Sequence, residues 1–195
     1  MSASRDAAAL RVRMQGELPA GLIAHVDRVV ALAGELAQRH GADVGLARYM
    51  AQAHDVARAV PPAELLRRAE ALGLPIDPVD RTEPVLLHGP VGAVELYERF
   101  EERDERVLHA VHWHTSGHAD YGAEAWAMFV ADKVEPHKVE RWGALEEVRI
   151  AAERSLERAA LAYLDLLTAL AIERRWQLHP ATVLSRNALV ARLPA

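Results

Sequence analysis

Six residues of this chain have the donor types that could hold metal: His25, the adjacent pair His54-Asp55, His88, His114 and Asp132. Imidazoles and carboxylates are the ligands that hard-to-borderline cations take. An aspartate has two oxygens, so Asp55 could touch two cations at once. Two ions roughly 3.5–4 Å apart would share a water whose pKa falls toward ~7, and the hydroxide so formed can attack phosphorus in line while the metals neutralise developing charge.

Each residue also has an ordinary explanation. His25 could be a core histidine bonded to a carbonyl, and His88 a helix cap. His114 could belong with His109, His112 and His118, which read as surface histidines. Asp132 could cap its helix or neutralise Lys133. The pattern as a set argues for metal. His54 follows the stripe of Leu46 and Met50, His114 that of Val107 and Val111, and Asp132 that of Ala125 and Met128. His25 lies on the stripe of Val29, Leu32 and Leu36. Separate helices thus aim ionisable groups at the core side, where an unpaired carboxylate costs several kcal/mol. A shared metal site is the simplest common cause.

The elements that must position these groups are helical. The chain has 195 residues, 51% of them hydrophobic and only 5% aromatic, which predicts one helix-rich domain. Residues 1–17 read as a loose lead-in or short helix. Pro19 opens a helix through about Arg39, and Gly41 suits a left-handed cap. A second helix follows Asp43 to about Arg58, and a third spans about Ala63 to Leu72. Residues 73–85, with three prolines, read as a loop. Further helices are predicted from about His88 to Phe100, Asp104 to Thr115 and Ala123 to Val134. A long amphipathic helix is predicted over about Ala144 to Trp176, with a short helix in 180–193. Alternating strand patterns are essentially missing.

Composition narrows the function. There is no cysteine, which excludes disulfides, thiolate sites and cysteine nucleophiles and is compatible with a reducing compartment. The net charge of −5 argues against a general nucleic-acid surface, and no apolar run approaches a membrane span. A cytoplasmic location is the expectation.

The pattern His25…His54-Asp55…Asp132 resembles the HD superfamily of metal-dependent phosphohydrolases, with His88 and His114 added as in its two-metal members. Leu86-Leu87-His88-Gly89-Pro90-Val91-Gly92-Ala93, His114-Thr115-Ser116-Gly117 and Ala131-Asp132-Lys133-Val134-Glu135-Pro136 resemble the bacterial YqeK-type family of symmetrical diadenosine tetraphosphate hydrolases. The resemblance covers about residues 19–138 and, more weakly, the C-terminal helices at about 144–193. It implies a compact all-α HD fold, a di-iron centre and cleavage of diadenosine tetraphosphate into two ADP. Manganese, zinc or another transition metal also suits such a donor set. By motif, His25, His54, Asp55 and Asp132 would hold one ion, with Asp55 bridging to a second held by His88 and His114. The chain departs from the family at His118-Ala119-Asp120-Tyr121, where arginine, proline, glycine and methionine are usual. It departs again at Lys138, where arginine is common. These changes bear on substrate preference rather than on metal.

Around this set stand candidates for substrate contact. Arg58 and Thr115 could touch phosphate, His118 could protonate a leaving oxygen, and Lys133 and Lys138 could form a cationic rim. The ordinary readings are solvated surface cations, an exposed histidine and a helix-capping threonine. A phosphatase of smaller nucleotides, or a non-catalytic metal- or nucleotide-binding sensor, would use the same fold. The long C-terminal helix could pack on its own domain or in a homodimer.

Overall fold

The structure is a computed structural model and describes residues 6–193. Among these residues it is all-α, with twelve α-helices and one short 3-10 turn but no strand. The lead-in forms a helix, α1 (Ala7–Met14), because the Asp6 side chain accepts from the Ala8 N–H at 2.9 Å. After Pro19, α2 (Ala20–Arg39) runs to Gly41, whose φ of +69° ends it. Asp43 caps α3 (Val44–Ala53) by accepting from the Leu46 N–H.

α3 stops sooner than its periodicity predicts. Beyond Ala53 the backbone tightens into successive turns, with Val56 N–H donating to Ala53 O and Arg58 N–H to Asp55 O. The imidazole of His54 bonds Ala51 O at 2.7 Å, occupying the carbonyl that the next helical N–H would use. His54 and Asp55 therefore sit in a tight turn, not in continued helical register.

α4 (Pro62–Ala71) follows. The segment expected as loop then holds a five-residue helix, α5 (Pro78–Thr82), and a 3-10 turn (Pro84–Leu87). Proline opens both, and Asp77 with Asp80 forms a reciprocal capping box for α5. The 3-10 turn leads directly into α6 (His88–Arg99), and Asp104 caps α7 (Glu105–Trp113).

α8 (Ala123–Val134) is the central element. Every residue from Ala125 to Val134 is buried, with α2, α3, α10 (Leu145–Ala152) and α11 (Leu156–Arg174) packed around it. A further short helix, α9 (Pro136–Arg141), follows α8. The expected long C-terminal helix is two helices. Ser155 is extended and its side chain accepts from the Arg158 N–H, so it starts α11 afresh. α12 (Pro180–Arg192) ends the described chain. No helix of the described residues is long and apolar enough to cross a membrane.

A candidate metal centre

The six candidate ligands come from five places in this fold. His25 is on α2, His54 and Asp55 are in the turn after α3, and His88 is the first residue of α6. His114 directly follows α7, and Asp132 is on the last turn of α8. The structure brings all six together. Asp55 stands between two groups, with Oδ2 3.4 Å from His54 Nε2 and 3.9 Å from His25 Nε2. Its other oxygen, Oδ1, lies 3.2 Å from His88 Nε2 and 3.6 Å from His114 Nε2. Asp132 joins the first group, with Oδ1 3.1 Å from His25 Nε2 and 3.6 Å from His54 Nε2. Two sets with metal-ligand spacing result, His25–His54–Asp55 and Asp55–His88–His114, sharing Asp55.

A close helix contact holds the second set. A Cβ on Gly89 would lie 2.6 Å from the main-chain oxygen of His112. Only glycine lets α6 approach α7 this closely, and the approach brings His88 to His114.

The outer hydrogen bonds fix the rings. The Nδ1 atoms of His54, His88 and His114 face the main-chain oxygens of Ala51, Val85 and Val111 respectively. A carbonyl only accepts, so each Nδ1 carries hydrogen and each neutral ring presents a lone pair at Nε2. Two such lone pairs, on His88 and His114, face each other at 2.8 Å, with Asp55 Oδ1 beside them. The buried His54 Nε2 has no hydrogen-bond partner. Converging ring nitrogens and carboxylate oxygens of this kind call for positive charge, a proton on His54 without metal and a cation with it, so the residues present fit a pair of metal ions.

Charge in the cavity is strongly coupled. Burial pushes the Asp55 carboxyl up, but the charge of His54 and contacts from His114, His54 and His88 overrule it and hold it well below the usual range. Asp132 is likewise held low against its burial, by Lys133 and Lys138 and by contacts from His25 and His54. Burial opposes charge on His54, yet Asp55 and Asp132 raise its pKa to about 10. His114 goes the other way, lowered to about 4 mainly by burial.

The remaining candidates are placed differently. Lys133 is buried, not at a solvated rim. Its Nζ donates to Asp132 Oδ2 at 2.6 Å and to His114 O at 3.1 Å. Lys138 is more open and donates to both Asp132 O and Oδ1. Arg58 is exposed, and its guanidinium makes no hydrogen bond or ion pair among the described residues. Thr115 lines a cavity of about 460 Å³ together with Trp113, Ser116, His112 and Pro90. His118 meets His109 edge-on at 4.5 Å and lies tilted against Trp113 at 5.3 Å, in an aromatic cluster outside the two ligand sets. The reading of His109 and His112 as surface residues is corrected. Both are half-buried, and burial lowers the pKa of each, to about 4 for His112.

Glu135 was missed as a site residue. It is buried, with Oε1 3.5 Å from His25 Nδ1, and it accepts from Arg28 Nε at 2.6 Å. It thus orients His25 as the carbonyls orient the other rings. Paired spacing signalled it: Arg28 is three residues past His25, and Glu135 three past Asp132.

A helical scaffold that gathers a histidine, a His-Asp pair and a later aspartate around one buried cavity defines an HD-type hydrolase. The chain belongs to the HD domain family, which matches residues 22–137. It is 31% identical to a symmetrical bis(5'-nucleosyl)-tetraphosphatase of Bacillus subtilis, over 86% of this chain and 88% of that one. A protein of the same name from Halalkalibacterium halodurans is 28% identical, over 85% and 87% of the two chains. A solved structure from Clostridium acetobutylicum, described as a "predicted HD superfamily hydrolase involved in NAD metabolism", superposes with a TM-score of 0.88 at 26% identity. That match covers 96% of this chain and 98% of the other.

Proposed function

We propose that this protein hydrolyses dinucleoside polyphosphates, cleaving diadenosine tetraphosphate symmetrically into two ADP. The observation that carries the reading is the position of Asp55, one carboxylate oxygen toward each histidine set. His25, His54, Asp55 and Asp132 would hold one ion, and Asp55, His88 and His114 a second. Such a pair supplies positive charge and an activated water to phosphoryl chemistry. The Bacillus and Halalkalibacterium relatives carry the name of this activity over most of their length.

The chain's own residues then bind and orient. Asp55 and Asp132 stay ionised at neutral pH and supply the anionic ligands. Glu135 and the three carbonyls hold each ring with Nε2 inward. Lys138, Arg58 and Thr115 contact the polyphosphate, and His118 stands ready to give a proton to a departing oxygen. Lys133 reaches phosphate only through the face of its ammonium turned from Asp132. Iron is the metal we take from the family resemblance, because histidine and carboxylate donors suit iron, manganese and zinc alike.

Metal analysis of the purified protein, paired with product analysis, tests this. Two ions per chain and ADP as sole product are expected. AMP plus ATP would overturn symmetrical cleavage. Phosphate released from mononucleotides, with diadenosine tetraphosphate untouched, would make the protein a phosphatase. Full metal content without turnover on either would make it a sensor.

A further inference from the structure

Beside Asp132 lies a pocket of about 390 Å³, lined by Lys133, Lys138, Arg141, Trp142, Leu145 and Tyr163. Its wall adjoins the metal centre directly, since both lysine ammonium groups bond the Asp132 carboxylate. Three cations here contrast with a chain whose net charge is −5. Two of them keep unused donors. Lys133 is buried, bonds Asp132 Oδ2 and His114 O, and its ammonium also lies over the Phe129 and Tyr163 rings at 4.9 and 5.7 Å. Lys138 uses two of its three N–H groups, both on Asp132. The Arg141 guanidinium is exposed and has no hydrogen bond or ion pair among the described residues. Nor has the Tyr163 hydroxyl a partner there, its ring being fixed edge-on to Phe129 at 5.8 Å. Trp142 adds a second aromatic ring to the lining, half-buried on the apolar core.

Free cationic donors and aromatic rings in one cavity match a ligand that is both polyanionic and flat. We infer that this pocket binds one nucleoside diphosphate portion of the substrate, with Arg141 on phosphate and Trp142 and Tyr163 against the nucleoside. The volume falls within the range of small-ligand sites. Arg141 presents a fork of donors that suits phosphate oxygens, and aromatic side chains stack on nucleobases of any kind. The inference deepens the proposed hydrolase reading and rests on it for the identity of the ligand. It assigns specificity to α9, α10 and α11, outside the motifs that carry the metal ligands.

The test uses ADP as probe and the full metal-loaded protein. Binding is measured by calorimetry and by quenching of tryptophan fluorescence, with Trp142→Phe locating the signal. Arg141→Ala and Trp142→Ala should each weaken ADP binding at least about tenfold. Both should raise KM for diadenosine tetraphosphate while metal content stays unchanged. Arg149→Ala, whose partners are Glu146 and Glu153 on the surface, should leave ADP affinity as it was. Arg141 is exposed, so its variant keeps the test sound if Trp142→Ala folds poorly. Unaltered ADP affinity in Arg141→Ala overturns the inference, whether or not the tetraphosphate is cleaved. ADP binding that depends on Arg141, in a protein that cleaves no tetraphosphate, upholds the pocket and refutes the hydrolase reading.

Discussion

Replacing Lys133 by methionine separates its support of Asp132 from any contact with substrate. Methionine keeps the unbranched apolar stem and removes the ammonium. In the metal-free protein this deletes the 2.6 Å bond to Asp132 Oδ2 and the 3.1 Å bond to His114 O, both buried. Removing one partner of a buried ion pair costs about 3–5 kcal/mol. Asp132 keeps Lys138 and His25 as partners, so the low end, about 3 kcal/mol, applies. At about 2–4 °C per kcal/mol for a domain of this size, Tm should fall by about 6–12 °C. Cations bound at Asp132 would replace the lost charge, so the metal-loaded variant should lose less than half as much. Calorimetric scans of wild type and variant, each with chelator and with saturating manganese, measure the four values. Equal losses with and without metal would show that Lys133 does not act through the charge of Asp132. No loss in either form would show that the buried pair does not stabilise the fold.

Three further outcomes are expected. Asp55→Ala should abolish turnover and lower metal content while circular dichroism shows helix content nearly unchanged; retention of both ions would remove Asp55 from the bridging position. Gly89→Ala places a methyl 2.6 Å from His112 O, so α6 must shift from α7, and metal analysis should find one ion per chain instead of two. Metal affinity should rise with pH. Without metal, His54 keeps its proton up to a pKa of about 10, because Asp55 and Asp132 outweigh the burial that opposes charge, and a cation must displace that proton. The gain is about tenfold per pH unit below that value, so manganese titrations two pH units apart should differ about a hundredfold, and a flat profile would contradict this account.

Much of this was legible in the sequence because it is local. Proline and glycine mark the ends of α2 and α4, Asp43 and Asp104 the starts of α3 and α7, and apolar spacing the buried faces. The same spacing places His25 and Asp132 toward the core. What periodicity missed came from side chains that compete with the backbone. Apolar spacing carries on from Val148 through Leu156 to Leu164, so it cannot register that Ser155 caps a new helix. The His54 imidazole takes Ala51 O and ends α3 early, which no hydrophobic pattern shows. In residues 73–85 the prolines suggest loop, yet Pro78 and Pro84 each occupy a helix start. Glu135 escaped, and Lys133 reads as a solvated rim cation, because charged residues read as surface unless their partners are known. Those partners, His25, Arg28 and His114, are distant in sequence.

The segment after Gly117 shows how a change in motif can leave the metal centre whole and still move the substrate site. Relatives of the resembled family usually place arginine, proline, glycine and methionine there, and this chain has His118-Ala119-Asp120-Tyr121. Tyr121 is buried, its hydroxyl donates to Ala110 O at 2.7 Å, and its ring packs on Trp126 at 5.0 Å. The segment is thereby tied to α7 and α8, the helices that bring in His114 and Asp132, so it supports the centre by packing. It offers phosphate no permanent cation, however, because it holds no arginine or lysine, and His118 lies within the aromatic cluster. A polyphosphate must find positive charge elsewhere. Lys138 and Arg141 are the groups with unused donors beside Asp132. Charge missing from the turn after α7 is thus met from α9, which makes Arg141 the residue whose removal should discriminate most sharply between substrate binding and metal binding.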